Sequence, residues 1–475
     1  MQFISTRGGM SPAGFTEVLL DGLAPDGGLV VPETLPRITP TDLEDWRQLS
    51  YPELAAKVIG LFATDIPAAE LAKMTARAYS VERFPAPVVP VELLGEGIGL
   101  VGLSEGPTMA FKDLAMQFLG QAVPHVLSLR GGVLNILGAT SGDTGSAAEH
   151  AFRASPGVSV FMLSPAGRMS DVQRAQMYSL TEPTIHNIAV RGVFDDCQNL
   201  VKELNADASF KKQHSLGAVN SINFGRIAAQ CVYYVWAWLR VTDSLSAAQR
   251  QAEHTSPRLS FSVPSGNFGN IYAGHLAREM GVPIRRLILA TNENNVLDEF
   301  FSTGIYRPRP SAQTYATSSP SMDISKASNL ERFLWTLLGP EDFKAAWATL
   351  EASGQVDLSA QLERMRTEFG FASSCSTHQD RLAAIAEVKA KHGRLIDPHT
   401  ADGWTVAQRL AEPGELVLVM ETAKAAKFGE TVAEALSVPV PSTPEIEKLL
   451  ALPQRVEEIE NSAAQLRSII EQRAL

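Results

Sequence analysis

From about residue 130 the chain settles into a repeating texture: a short apolar run, a loop of small polar residues, then a helical pattern. Runs at 133–137, 158–163, 186–190, 259–263, 287–290 and 416–420 follow this form. Strands that are apolar on both faces and alternate with helices predict an α/β fold, with mainly parallel sheets covered by helices on each side. Two clusters, near 130–190 and 258–290, predict two sheet domains. The first 95 residues mix helices with turn signals and a short strand at 30–31, and the crowding of Pro85, Pro87 and Pro90 marks a connector after them. Three regions are expected: an N-terminal domain over 1–95, a small region over 96–230, and a large region over 231–475 with a mostly helical insertion at about 326–391. A length of 475 residues fits that division at about 150 residues per domain. The stretch 445–475 reads as helix with surface charge.

Composition removes several functional classes. Lys and Arg total 41 against 52 Asp and Glu, a net charge of −11, which argues against nucleic acid as a partner. The apolar helix 227–239 lies between Arg226 and Arg240 and falls short of the roughly 20 apolar residues a bilayer span needs, so no membrane partner is expected. The start of the chain lacks the basic-then-apolar layout of a signal peptide, and a cytoplasmic protein is expected. Three cysteines without a CxxC pair, and nine scattered histidines without HExxH, predict no metal site and no disulfide framework.

Ligands of α/β sheets bind outside the carboxyl ends of the strands, so the loops there matter most. The first, 138–145, reads Gly-Ala-Thr-Ser-Gly-Asp-Thr-Gly. Its small residues admit a ligand close to the backbone. The hydroxyls of Thr140, Ser141 and Thr144, with the N–H groups opening the next helix, can hold a carboxylate. It lacks the Lys of a phosphate-binding P-loop. A second loop, Ser265-Gly266-Asn267-Phe268-Gly269-Asn270, precedes a helix and suits a phosphate. A third segment, 106–113, places Lys112 between Phe111 and a helix that should be largely buried. A desolvated lysine has a lowered pKa and can form a Schiff base. A reactive lysine, a phosphate cradle and a carboxylate loop together are what pyridoxal phosphate (PLP) chemistry on an amino acid requires.

At this point the sequence resembles the threonine synthase family in its longer form, over nearly the whole chain. The resemblance rests on segments 5–8, 22–29, 106–113, 139–145, 220–227, 266–270 and 320–324. It implies a tryptophan-synthase-β-like enzyme of PLP fold type II, with PLP as cofactor and O-phospho-L-homoserine and water converted to L-threonine and phosphate. It further implies that Lys112 holds the cofactor and moves protons, and that Gly266, Asn267, Phe268, Gly269 and Asn270 hold its phosphate. Thr422 would sit at the pyridine nitrogen, and Asp143 stands near the ring's O3′ where short-form relatives carry Asn. Thr140, Ser141 and Thr144 would bind the substrate carboxylate, and Ser221 and Arg226 its phosphate. The family often reads Thr-Ala-His-Pro-Ala-Lys-Phe where this chain has 422–428 as Thr-Ala-Lys-Ala-Ala-Lys-Phe, so Lys424 receives no role. His399 is read as a structural histidine, with a place near the site as the alternative. A monomer or homodimer is expected.

Competing readings remain open on the sequence. A PLP phospholyase would release 2-oxobutanoate and ammonia instead of threonine. A non-catalytic PLP-binding homologue would have no use for the buried amine of Lys112. A nucleotide binder using 138–145 lacks both the P-loop Lys and an acidic ribose partner.

Overall fold

The computed structural model describes residues 1–95, 97–246, 258–439 and 442–475. Two parallel sheets dominate it. The larger runs in the order Phe371–Cys375, Leu287–Thr291, Arg258–Pro264, Glu415–Glu421, Ile98–Gly102, Val91–Gly95. All of its neighbours are parallel except the last pair, which is an antiparallel hairpin. The smaller sheet is parallel throughout, in the order Glu457–Ile459, Ile185–Val190, Val158–Pro165, Leu134–Ala139, Leu216–Gly217. The expectation of two mainly parallel sheets covered by helices is borne out.

The strands explain why. Side chains alternate across a strand, and here both faces are buried. Along Glu415–Glu421, Val417 and Val419 join one core cluster while Leu418 and Met420 join another. Along Val158–Pro165, Val160 and Met162 face the central core, and Phe161 and Leu163 the outer one. Such strands need cover on both sides, which the helices provide.

Helix Phe224–Val241 ties the molecule together. It packs against Lys112–Arg130, Gly269–Met280 and the N-terminal helix Tyr51–Gly60. The N-terminal segment is an antiparallel pair, Phe3–Ser5 with Val30–Pro32, followed by short helices. Its core does not stop at a boundary: the Phe3 and Phe62 rings meet Phe224 at 4.9 and 5.3 Å. Close backbone approach also matters, since a Cβ at Gly120 would come within 2.3 Å of the Ala151 carbonyl oxygen. That glycine lets helix Lys112–Arg130 lie against helix Asp143–Phe152.

Two readings need correction. Residues 445–475 are not a surface helix. They form helices Pro444–Leu450 and Ala463–Arg473 with strand Glu457–Ile459 between them, and the strand extends the smaller sheet. Pro453, which has no N–H to donate, falls in the gap after the first helix. The segment 326–391 is largely helical, yet it also supplies Phe371–Cys375, the edge strand of the larger sheet.

Candidate active site

Four chain segments converge where the two sheets present their strand ends. Lys112 is the first residue of helix Lys112–Arg130. The loop after Leu134–Ala139 opens helix Asp143–Phe152. The loop after Arg258–Pro264 opens helix Gly269–Met280. Strand Glu415–Glu421 ends at Thr422, whose carbonyl accepts from the Phe111 N–H at 2.9 Å, so it lies directly against the lysine segment.

Asp143 is the hub. Its Oδ1 accepts from Lys427 Nζ at 2.7 Å and from Gln173 Nε2 at 3.2 Å. Its Oδ2 accepts from Ser321 Oγ at 2.8 Å and faces Lys112 Nζ at 3.4 Å. Burial acts to raise the Asp143 pKa, but Lys427 and Lys112 outweigh it and hold the carboxyl well below the usual carboxylate range. Lys112 is pushed the other way: burial lowers its ammonium pKa, Asp143 opposes this, and Lys427 and Arg226 add to it. A lysine that releases its proton more readily than a free one and an aspartate held as an anion therefore stand side by side.

Ser321 links this hub to a second one. Its N–H donates to His399 Nε2 at 3.0 Å, so the proton of that ring lies on Nδ1, which donates to Asp397 Oδ1 at 2.7 Å. Asp397 also caps helix Pro398–Leu410 through the N–H groups of His399 and Thr400. The Thr400 hydroxyl in turn accepts from the Thr422 N–H at 3.3 Å. The Thr422 hydroxyl makes no hydrogen bond among the described residues.

The carboxylate loop braces itself. Thr140 Oγ1 accepts from the N–H groups of Gly142 and Gly145, both at 2.9 Å. Those two N–H groups are thus committed internally, leaving the Thr140 hydroxyl proton to be donated outward. Gly142 has φ of 135°, a conformation few other residues adopt. Ser141 is exposed and Thr144 half-buried.

In the second loop the backbone is what faces outward. Phe268 has φ of 63° and buries its ring against Phe301 and Phe371. Asn270 turns its side-chain oxygen to the hydroxyls of Tyr233 and Tyr234, at 2.7 and 2.9 Å. Helix Gly269–Met280 has no side-chain cap, so its first N–H groups remain for a ligand. Asn329 joins this loop to the 220–223 turn, donating from Nδ2 to the carbonyls of Ser221 at 3.1 Å and Asn267 at 3.2 Å. Just beyond, Arg226 is 3% exposed, and its Nε and Nη1 are buried without a hydrogen-bond partner. Burial lowers its pKa to about 10. A buried guanidinium with unused donors is costly unless an anion completes it.

The structure thus gathers Lys112 and Asp143 with loop 266–270, Thr422, Thr140, Ser221 and Arg226 around one set of strand ends. Sequence reading missed Lys427, Gln173 and Ser321, and it treated His399 as a fold residue. Lys427 carried one signal, a lysine amid Ala425, Ala426 and Phe428. Lys424, given no role, pairs with Glu105 and lies 3.8 Å from Glu421.

Two sheet lobes meeting at a half-buried lysine, with uncapped helix starts around it, define the class of PLP fold type II, tryptophan-synthase-β-like enzymes. The family resemblance is specific. Residues 2–79 match the model of the threonine synthase N terminus, and residues 400–470 that of the threonine synthase C-terminal region. The chain is 50% identical to threonine synthase of Corynebacterium glutamicum over 99% of its length and 98% of the relative's. It is 47% identical to that of Methylobacillus glycogenes, covering 99% of both chains. The PLP-bound crystal structure of threonine synthase from Brucella melitensis superposes with a TM-score of 0.92 at 37% identity, covering 100% of this chain and 99% of that one. The chain belongs to the threonine synthase family.

Proposed function

We propose that this chain is a PLP-dependent threonine synthase that converts O-phospho-L-homoserine and water to L-threonine and phosphate, working in the cytoplasm as a monomer or homodimer. One observation carries the substrate assignment: the buried Arg226 with unused donors, beside a lysine site. The residues fit the cofactor. Burial lowers the pKa of Lys112, the helix start at Gly269 is uncapped, and the Thr422 hydroxyl makes no hydrogen bond among the described residues. When bound, PLP supplies the electron sink that makes proton loss at Cα and Cβ accessible.

The protein's own tasks follow. Lys112 would anchor the cofactor and move protons at Cα and Cβ. The backbone N–H groups of 266–270 would hold the cofactor phosphate, and Thr422 would offer a neutral hydroxyl to the pyridine nitrogen. Thr140, Ser141 and Thr144 bind the substrate carboxylate. Ser221 and Arg226 take the leaving phosphate, where the planar guanidinium matches its oxygens. Asp143, ionised and held by Lys427, orients Lys112 and Ser321.

The test is direct. Protein reconstituted with PLP is reduced with borohydride and mapped by mass spectrometry, and product formation from O-phosphohomoserine is followed. The cofactor is expected on the Lys112 peptide, with threonine and phosphate as products, and Lys112→Ala is expected to abolish turnover. An adduct on another lysine overturns the site. Release of 2-oxobutanoate and ammonia makes the protein a phospholyase.

A further inference from the structure

Asp143 stands between two amines, and the two contacts differ. Lys427 lies on the short turn Ala425–Phe428, just after Thr422, with its side chain wholly out of solvent. Its ammonium donates to Asp143 Oδ1 at 2.7 Å and to the Thr108 carbonyl at 2.9 Å. Lys112 meets the other oxygen at the longer distance of 3.4 Å, and that oxygen already accepts from Ser321 at 2.8 Å. A cation buried this deeply stays in the fold only when paired, and Asp143 is the carboxylate it pairs with. The negative charge of Asp143 is thus compensated before Lys112 is considered.

We propose that Lys427 is the resident counter-cation of Asp143, and that this closed pair leaves Lys112 without a counter-anion of its own, so that its amine gives up a proton more readily than a surface lysine does. Lys427 is on this view a positioning residue that acts through Asp143. The use of that amine in catalysis rests on the proposed role of Lys112, whereas the charge arrangement does not.

Lys112 faces Asp143, Lys427 and Arg226, with its Nζ 5.5 Å from the Phe111 ring centroid. Asp143 faces Lys427, Lys112 and, further off, His399, with Gln173 and Ser321 as neutral donors. The field of Lys427 also reaches Asp113 and His150. Asp113 is engaged by the N–H and hydroxyl of Thr108, both at 2.8 Å. Removing the Lys427 charge leaves Asp143 with Lys112 as its sole ammonium partner, which favours the protonated form of Lys112. Removing both charges of the pair takes that attraction away again.

The experiment uses the full chain without cofactor. Reductive methylation with formaldehyde and cyanoborohydride is run across pH, and each lysine is read by peptide mass spectrometry. Wild-type Lys112 is expected to react at markedly lower pH than the exposed Lys73. Lys427→Met is expected to move the Lys112 profile up by about one unit, an approximately tenfold slower reaction on the acid side. Lys427→Arg keeps the wild-type profile, and the double change Lys427→Met with Asp143→Asn returns it. A wild-type Lys112 that titrates like Lys73 overturns the proposal, and that measurement needs no variant. So does a folded Lys427→Met protein with an unmoved profile, or a double variant that retains the shift. Failure of borohydride to fix PLP on wild-type Lys112 would overturn the proposed function alone, because methylation reads the amine without the cofactor.

Discussion

Arg226 shows most clearly, at the scale of one side chain, a residue kept against the interest of stability. Its Nε and Nη1 find no partner in a site that is 3% exposed. Arg226→Met keeps the bulk and removes a buried charge, so it is expected to leave the unfolding temperature unchanged or higher in phosphate-free buffer. The same change removes a charge-assisted contact to substrate phosphate of about 1.5–3 kcal/mol, a roughly ten- to hundredfold loss in kcat/KM. A lowered melting temperature measured by calorimetry would assign Arg226 to the fold instead. Arg226 was legible in the sequence because it belongs to the family-like segment 220–227, at the head of the apolar run 227–239. Lys427 and Ser321 were not, since their importance comes from Asp143, 284 and 178 residues away in the chain. No local pattern encodes such a meeting; only the packing of strand ends from two sheets brings it about.

Elements were legible where their hydrophobic period was unambiguous. Helix Phe224–Val241 and the central strands fall where the apolar runs placed them. Helix Asp143–Phe152 begins inside the segment read as loop 138–145, because Gly142, with its unusual φ, allows the turn to close early. Loops are harder, since their shape depends on what they touch. Gly266 is an example: a Cβ there would lie 2.9 Å from Ile324 Cγ1 and 3.1 Å from Met322 Cα. The loop before helix Gly269–Met280 thus rests on the segment that carries Ser321. Gly266→Ala must part the two, at an overpacking cost of about 1–3 kcal/mol. A PLP titration is expected to show affinity weakened by about five- to a hundredfold, since each 1.4 kcal/mol is a factor of ten. Gly429→Ala, where a Cβ meets nothing within 4 Å, is the matched control and is expected to bind PLP as the wild type does. Equal affinities in the two variants would mean that loop 266–270 tolerates displacement and that its backbone does not hold the cofactor.

Across the whole molecule, the chain repeatedly closes distant pieces on one another, and the C-terminal segment is the clearest instance. Strand Glu457–Ile459 pairs in parallel with Ile185–Val190 and completes the sheet whose strand Leu134–Ala139 leads to Thr140 and Asp143. Helix Ala463–Arg473 then lays Leu466, Ile469 and Ile470 onto the outer face of that sheet, in one cluster with Leu137, Phe161 and Leu163. Arg191 reaches Glu458 and Glu460 at 2.6 and 2.7 Å, and the Leu475 N–H donates to Asn135 Oδ1 at 3.0 Å. The surface ion pairs contribute little, so the apolar contacts are what attach the segment. The sequence misled here because charged residues such as Glu445, Glu447, Glu457, Glu458 and Glu460 are interspersed among the apolar ones, and the strand is only three residues long. The two readings differ in what Leu466→Ala does. On a solvated helix the change would be worth no more than about 0.5 kcal/mol. In a site with no exposure it removes packed methyl groups and leaves a cavity, a loss of about 2–5 kcal/mol. Chemical denaturation followed by tryptophan fluorescence is expected to show that loss as an earlier transition. The folded variant is expected to turn over substrate at the wild-type kcat at 25 °C, because Leu466 packs on the outer cluster and touches none of the site residues. A transition at the wild-type denaturant concentration would return the segment to the role of a surface helix.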